Sequence, residues 1–397
     1  MPRCTIRSAF AAASLLLFAA PAMADTLVPV AGERLNDAVP FPTFQADAAW
    51  PHLPDDLMIG QVPGVAVAPD DTIWVLTRPG SLTPTDIGLT TEPPQALGCC
   101  RTPGHLLRFD QDGTLIAEWD GTADAPVIDG VSQWPENVHG LHVDKQGTLW
   151  IGGNGEGDHV IVNYTPEGKF IRQIGRRGAT AGNLSPNTLG NPTDVNADGA
   201  SVLVSDGYIN KRVIGFTPEN LAFESLWGAY GRPPAAPVRE GAFDQSQATD
   251  TGDGGPDPAS DSFGDIVHCV VRGPDSTLYV CDRRNNRLQL FRETAGGVEF
   301  LQDIVIGDGT GGTRTATDVG FSPDGTYVYV ADMMNGRIWV LLRATHEVLG
   351  WMGKNGRYPG EFIWLHSLDV DSQGNIYTAE VATGRRVQRF VFTGLAD

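Results

Sequence analysis

The chain has 397 residues, of which 48 are Gly and 28 are Pro, and only 19% are charged. Such a composition excludes a coiled coil or helical solenoid and favours many short strands joined by tight turns. With 48 acidic against 28 basic residues the formal net charge is -20, so nucleic acid and anionic membrane surfaces are poor partners on electrostatic grounds.

The first feature in chain order is a leader. Arg3 and Arg7 precede an apolar stretch from Ala9 to Ala20, and Ala22-Met23-Ala24 forms an A-x-A cleavage site. Residues 1–24 are therefore expected to be a signal peptide, with a mature chain starting at Asp25 and exported to a periplasm or beyond. The apolar stretch is too short for a bilayer, and no later window reaches the ~18 apolar residues of a span, so no membrane insertion is expected. Beyond Cys4, the cysteines are Cys99, Cys100, Cys269 and Cys281. Export permits disulfides, and Cys269 and Cys281 read equally well as a cross-strand disulfide or as buried thiols.

From residue 63 onward one unit recurs: a short apolar strand, an Asp/Gly turn, a second strand ending in an acidic residue, then Arg-x-x-x-aromatic. Asp144-Lys-Gln-Gly147 and Asp371-Ser-Gln-Gly374 are turns of this kind, and Arg212–Phe216, Arg287–Phe291 and Arg386–Phe390 are the closing pattern. Taking Pro63, His139, Thr193, His268, Thr317 and His366 as the first-strand openers gives spacings of 76, 54, 75, 49 and 49. The period is thus about 50, with inserts at about 79–103 and 232–262. The second insert is rich in Pro, Gly and Asp and reads as a solvated surface loop. Six repeats of about 50 residues predict an all-β, six-bladed β-propeller over 63–397. The last repeat ends near Phe392, before a fourth strand, and residues 25–62 are expected to supply that strand and close the ring. A closed ring needs no partner, and a monomer is expected.

In a propeller the start of each innermost strand and the end of the next strand share one face of the central channel. Openers two, four and six are His139, His268 and His366, a large excess for a chain with eight histidines. Alternate blades place these imidazoles at threefold positions round the axis, a three-nitrogen set with an open position that suits zinc or another divalent transition metal. Fifteen residues after openers one, three and four stand Arg78, Tyr208 and Arg283. Arginine suits bidentate capture of a carboxylate, and a phenol beside a metal and a cation can act as a base. A small, carboxylate-bearing or peptidyl substrate is expected. His52, His105, His142, His159 and His346 read as structural.

The repeats resemble NHL repeats, and the ordered set resembles the peptidyl-α-hydroxyglycine α-amidating lyases. The matching stretches are Gly60–Val67, Val138–Leu141, Asn191–Val195, Val204–Asn210, Cys281–Asn285 and Leu365-His366. The resemblance implies a zinc-type lyase that splits an N-acyl-α-hydroxyglycine into a primary amide and glyoxylate. His139, His268 and His366 would hold the metal, Tyr208 would take the α-hydroxyl proton with Arg78 beside it, and Arg283 would bind the substrate carboxylate. It also implies a calcium ion held by the backbone carbonyls of Val65 and Leu141, but the carboxylate of that site is replaced here by Ser367, and calcium prefers a carboxylate. Ile209 stands where the animal enzymes have a disulfide cysteine. Two other readings compete: a propeller metallohydrolase of lactonase type, for which no axial set of Glu, Asn and Asp is evident, and a non-catalytic NHL-type binding module.

Overall fold

The computed structural model describes residues 26–88, 100–234 and 255–396. The leader with its cleavage site, Cys99 and the middle of both inserts lie outside the described residues. Among those described, no helix is long and apolar enough to cross a membrane.

Six antiparallel sheets follow one another round a central channel, each ordered from its innermost strand outward. The innermost strands are Gln61–Val67, Val138–Val143, Asp194–Asn196, Val267–Arg272, Asp318–Phe321 and Leu365–Val370. The protein is therefore an all-β, six-bladed propeller. The first strand starts at Gln61, two residues ahead of the expected opener. Second and third strands such as Leu149–Gly153, Val160–Tyr164 and Tyr327–Asp332 are buried along their whole length. They are covered on both faces by adjacent blades, so they read as continuous apolar runs, whereas the outer strand Leu115–Trp119 is mostly exposed.

The repeated turn has a local cause. Asp144 Oδ1 accepts from the backbone N–H groups of Gln146 and Thr148, and Gly147 takes a φ of +78°. Asp371 and Gly374 repeat the arrangement. Such a turn needs an acceptor side chain at its start and a residue at ease in the left-handed region at its end.

Closure involves more strands than one. Phe41–Asp47 pairs with Arg386–Ala396 and becomes the fourth strand of blade six. Because this partner offers backbone groups as far as Phe41, the last strand runs past Phe392 to Ala396. Leu27–Pro29 adds a fifth strand outside Phe41–Asp47, and Gly32–Arg34 pairs with the outer edge of blade five. In blade four Cys269 and Cys281 form a disulfide between its first and second strands.

Candidate metal centre

The three histidine-bearing strands share an irregularity. Their register with the second strand shifts between Val138 and Leu141, between Val267 and Val270, and between Leu365 and Ser367. A bulge re-aims a side chain, and here the bulges carry His139, His268 and His366, all at least 95% buried. In each case Nδ1–H donates to the carbonyl that opens the next blade: His139 to Thr193 at 2.9 Å, His268 to Thr317 at 2.6 Å and His366 to Pro63 at 2.6 Å. A carbonyl oxygen can only accept, so the proton sits on Nδ1 and the lone pair of Nε2 points inward.

The Nε2 atoms then crowd one point. His366 Nε2 lies 3.1 Å from His139 Nε2 and 3.3 Å from His268 Nε2. Metal–nitrogen bonds of about 2.0–2.1 Å in a tetrahedral set place ligand nitrogens roughly 3.3–3.4 Å apart. Three acceptors within 4.8 Å of one another, two pairs of them near this spacing and with no proton between them, fit a cation. Burial, aided by Arg78 and Arg283, pushes His366 down to about 3, and burial likewise holds His139 and His268 well below the usual imidazole range. The trio is neutral near pH 7, as metal ligation requires. Among the described residues, these three histidines form the one cluster of at least three side chains able to hold a metal.

Arg78, Tyr208 and Arg283 come together beside the trio. The Tyr208 hydroxyl is 2.7 Å from His139 Nε2. Arg283 lies beside Tyr208, which favours its charge both coulombically and by hydrogen bonding. Arg78 donates to the Val138 carbonyl and to Gln61 Oε1, and also feels Tyr208. Burial pushes both guanidinium groups down to about 10, which leaves them charged at neutral pH. At the calcium position implied by the resemblance, Ser367 Oγ is 3.5 Å from the Val65 carbonyl, and Leu141 is paired with Ile151.

Sequence reasoning missed the loops leading into the inner strands. Asn191, Ile266, Arg314 and Trp364 stand two or three residues before the openers Thr193, His268, Thr317 and His366, and all have left-handed φ values of 57°, 79°, 85° and 56°. No glycine marks these positions, so composition carried no signal for them. The guanidinium of Arg314 lies over the Trp364 ring, 5.5 Å from its centroid, and acts electrostatically on Tyr208. Two glycines do have a spatial reason. A Cβ on Gly140 would run into the Thr193 carbonyl that holds His139, and one on Gly207 would run into the backbone of Val267.

On the other side of the histidines the channel encloses about 290 Å³ and is lined by Asp194, Asp318 and Asp369. These accept from the backbone N–H groups of Val270, Leu368 and Val67 on neighbouring inner strands. Burial raises all three carboxyls, Asp369 to about 6. Four other described histidines have side-chain partners: His142 faces Asp198, His105 faces Asp120, His159 accepts from the Asn191 N–H, and His346 contacts Tyr279.

The family model of the two-component regulator propeller matches residues 132–155. NHL repeat-containing protein 3 of Mus musculus is 24% identical over 297 residues, 72% of each chain. Peptidylglycine alpha-amidating monooxygenase of Rattus norvegicus is 27% identical over 173 residues, 42% of this chain and 14% of that protein. The chain is a propeller similar to NHL repeat proteins. A gluconolactonase from Xanthomonas campestris superposes with a TM-score of 0.50 at 13% identity, covering 94% of this chain and 99% of that one. At that identity the likeness concerns the fold alone.

Proposed function

We propose that this propeller is a metal-dependent lyase that cleaves an N-acyl-α-hydroxyglycine to a primary amide and glyoxylate. The observation that carries the reading is the convergence of three inward Nε2 lone pairs with one phenol and two buried guanidinium groups. His139, His268 and His366 would hold a divalent metal, zinc by the chemistry of the donor set, and such an ion supplies Lewis acidity to a substrate oxygen.

The side chains do the rest. Arg283 takes the substrate carboxylate and fixes the α-carbon beside Tyr208. The Tyr208 oxygen accepts the proton of the α-hydroxyl, and Arg78 and Arg283 stabilise the charge around it. The O–H electron pair becomes the C=O bond of glyoxylate while the C–N bond breaks, and the proton passes to the departing nitrogen to give the amide. The sequence similarity to a protein named for α-amidation lends weight to this reaction over the lactonase and binding-module readings.

The test is glyoxylate release from α-hydroxyhippurate by protein loaded with one zinc per chain. Tyr208→Phe is expected to retain the metal and lose kcat by roughly 10²–10⁴-fold, the usual reach of general acid–base catalysis. A zinc-loaded protein that releases no glyoxylate would sink the reading, and full activity of Tyr208→Phe would remove the tyrosine from its role.

A further inference from the structure

Arg314 plays no part in the reaction as described. Its residue is only 5% exposed, yet among the described residues its side chain forms neither an ion pair nor a hydrogen bond, and its guanidinium stacks on Trp364. Burying a cation without a counter-charge is unfavourable, and such groups are normally paired. Its backbone is held in a conformation that arginine does not favour. The φ is +85°, the N–H donates to the Arg283 carbonyl at 3.0 Å, and the carbonyl accepts from Met333 and Met334. Three hydrogen bonds thus fix a strained residue at the mouth, a pattern typical of functional positions.

The placement gives the charge a direction. Arg314 is tied to Arg283 by that backbone hydrogen bond, Tyr208 acts electrostatically on both guanidinium groups, and the Arg314 charge reaches Arg283. Arg314 therefore stands beside Arg283 at the loop end of the channel, with its guanidinium on Trp364, two residues before His366. Trp364 holds its planar fork against an aromatic face, which limits the rotamer freedom lost on binding an anion.

We propose that Arg314 is a second anion-binding residue and that the site takes a dianionic substrate, with one carboxylate beside the reacting carbon at Arg283 and a second acidic group on the acyl portion at Arg314. This rests on the lyase reading for the identity of the first carboxylate, but the anion site can be tested without turnover.

Two pairs of probes serve. N-glutaryl-α-hydroxyglycine and N-valeryl-α-hydroxyglycine have acyl chains of equal carbon count with and without a terminal carboxylate. Glutarate and valerate are the corresponding unreactive pair. With zinc-loaded wild-type protein, kcat/KM is expected to favour the glutaryl substrate at least ~10-fold, and Arg314→Gln to abolish that ratio through KM. Arg314→Lys, which keeps the charge and loses the fork, should restore part of it. Calorimetric titration should give the same ranking for glutarate over valerate. No preference in wild type, or a preference that survives Arg314→Gln, overturns the proposal. If neither substrate turns over while glutarate binding still depends on Arg314, the lyase reading fails and the anion site stands. If Arg314→Gln does not fold, Arg314→Lys and the wild-type preference decide.

Discussion

Each imidazole of the trio is set by a backbone group, because the partner of Nδ1–H is the carbonyl of Thr193, Thr317 or Pro63. A backbone acceptor cannot be removed by changing its own side chain, so its position is guarded by neighbours. Gly140 is one of these, since any Cβ there meets the Thr193 oxygen. Gly140→Ala is expected to lower zinc affinity by 10–100-fold, the usual effect of disturbing such an outer partner. Competition with a chromophoric chelator measures this, and unchanged affinity would mean that the carbonyl does not orient His139. The three histidines themselves were legible from the sequence because they fill equivalent slots of a repeat. Arg314 was not, since its slot is defined only by the path of the loop.

Among the elements, the Arg-x-x-x-aromatic pattern explains more than blade packing. Arg212 pairs with Asp206, Arg287 with Asp282 and Arg386 with Glu380, each across facing positions of the second and third strands. The remaining guanidinium N–H groups donate to carbonyls of the loop that leads into the same blade: Asn183, Ser185 and Thr188 for Arg212, Pro258 and Ser262 for Arg287, and Arg357 and Glu361 for Arg386. Those loops end in Asn191, Ile266 and Trp364 at the channel mouth. Arg287→Met leaves Asp282 buried without its cation and is expected to cost about 3–5 kcal/mol. A melting temperature roughly 4–6 °C lower in calorimetry would agree with this, and a shift under 2 °C would contradict it. The motif and its acid were legible as a recurring pattern. The loops were not, because their left-handed positions hold Asn, Ile, Arg and Trp, and neither were the edge strands Leu27–Pro29 and Gly32–Arg34, too short to carry a period.

At the scale of the molecule the channel is polarised. Arg78, Arg283 and Arg314 lie on one side of the histidines, and Asp194, Asp318 and Asp369 line the cavity on the other. An acidic protein thereby has a basic channel mouth. The far side has a pH signature. Burial, with Asp198 adding to it, raises Asp369 to about 6, above its unfolded value near 3.8. The folded state therefore keeps a proton that the unfolded chain releases, and stability from this group falls as pH rises from about 4 through 6 and then levels. Asp369→Asn removes the dependence. The melting temperature of the variant relative to wild type should climb between pH 4 and 6.5 and stay constant above pH 7. A difference that is flat across that range would show that the carboxyl is ordinary.

The hydrogen bonds from the histidines run from blade two to three, four to five and six to one, so the trio and its acceptors draw one residue from every blade. Metal capture is then a report on assembly. A chain that has not yet formed Leu365–Val370 has two of three ligands, and one whose Phe41–Asp47 strand is undocked leaves blade six unclosed. Tight zinc binding is expected to appear last during refolding, after the bulk of the strand signal in far-ultraviolet circular dichroism. Stopped-flow refolding with a zinc-sensitive dye follows both, and zinc uptake ahead of strand formation would reverse that order. Once bound, the ion acts as a latch on the ring, so stripping it should speed unfolding of all six blades together.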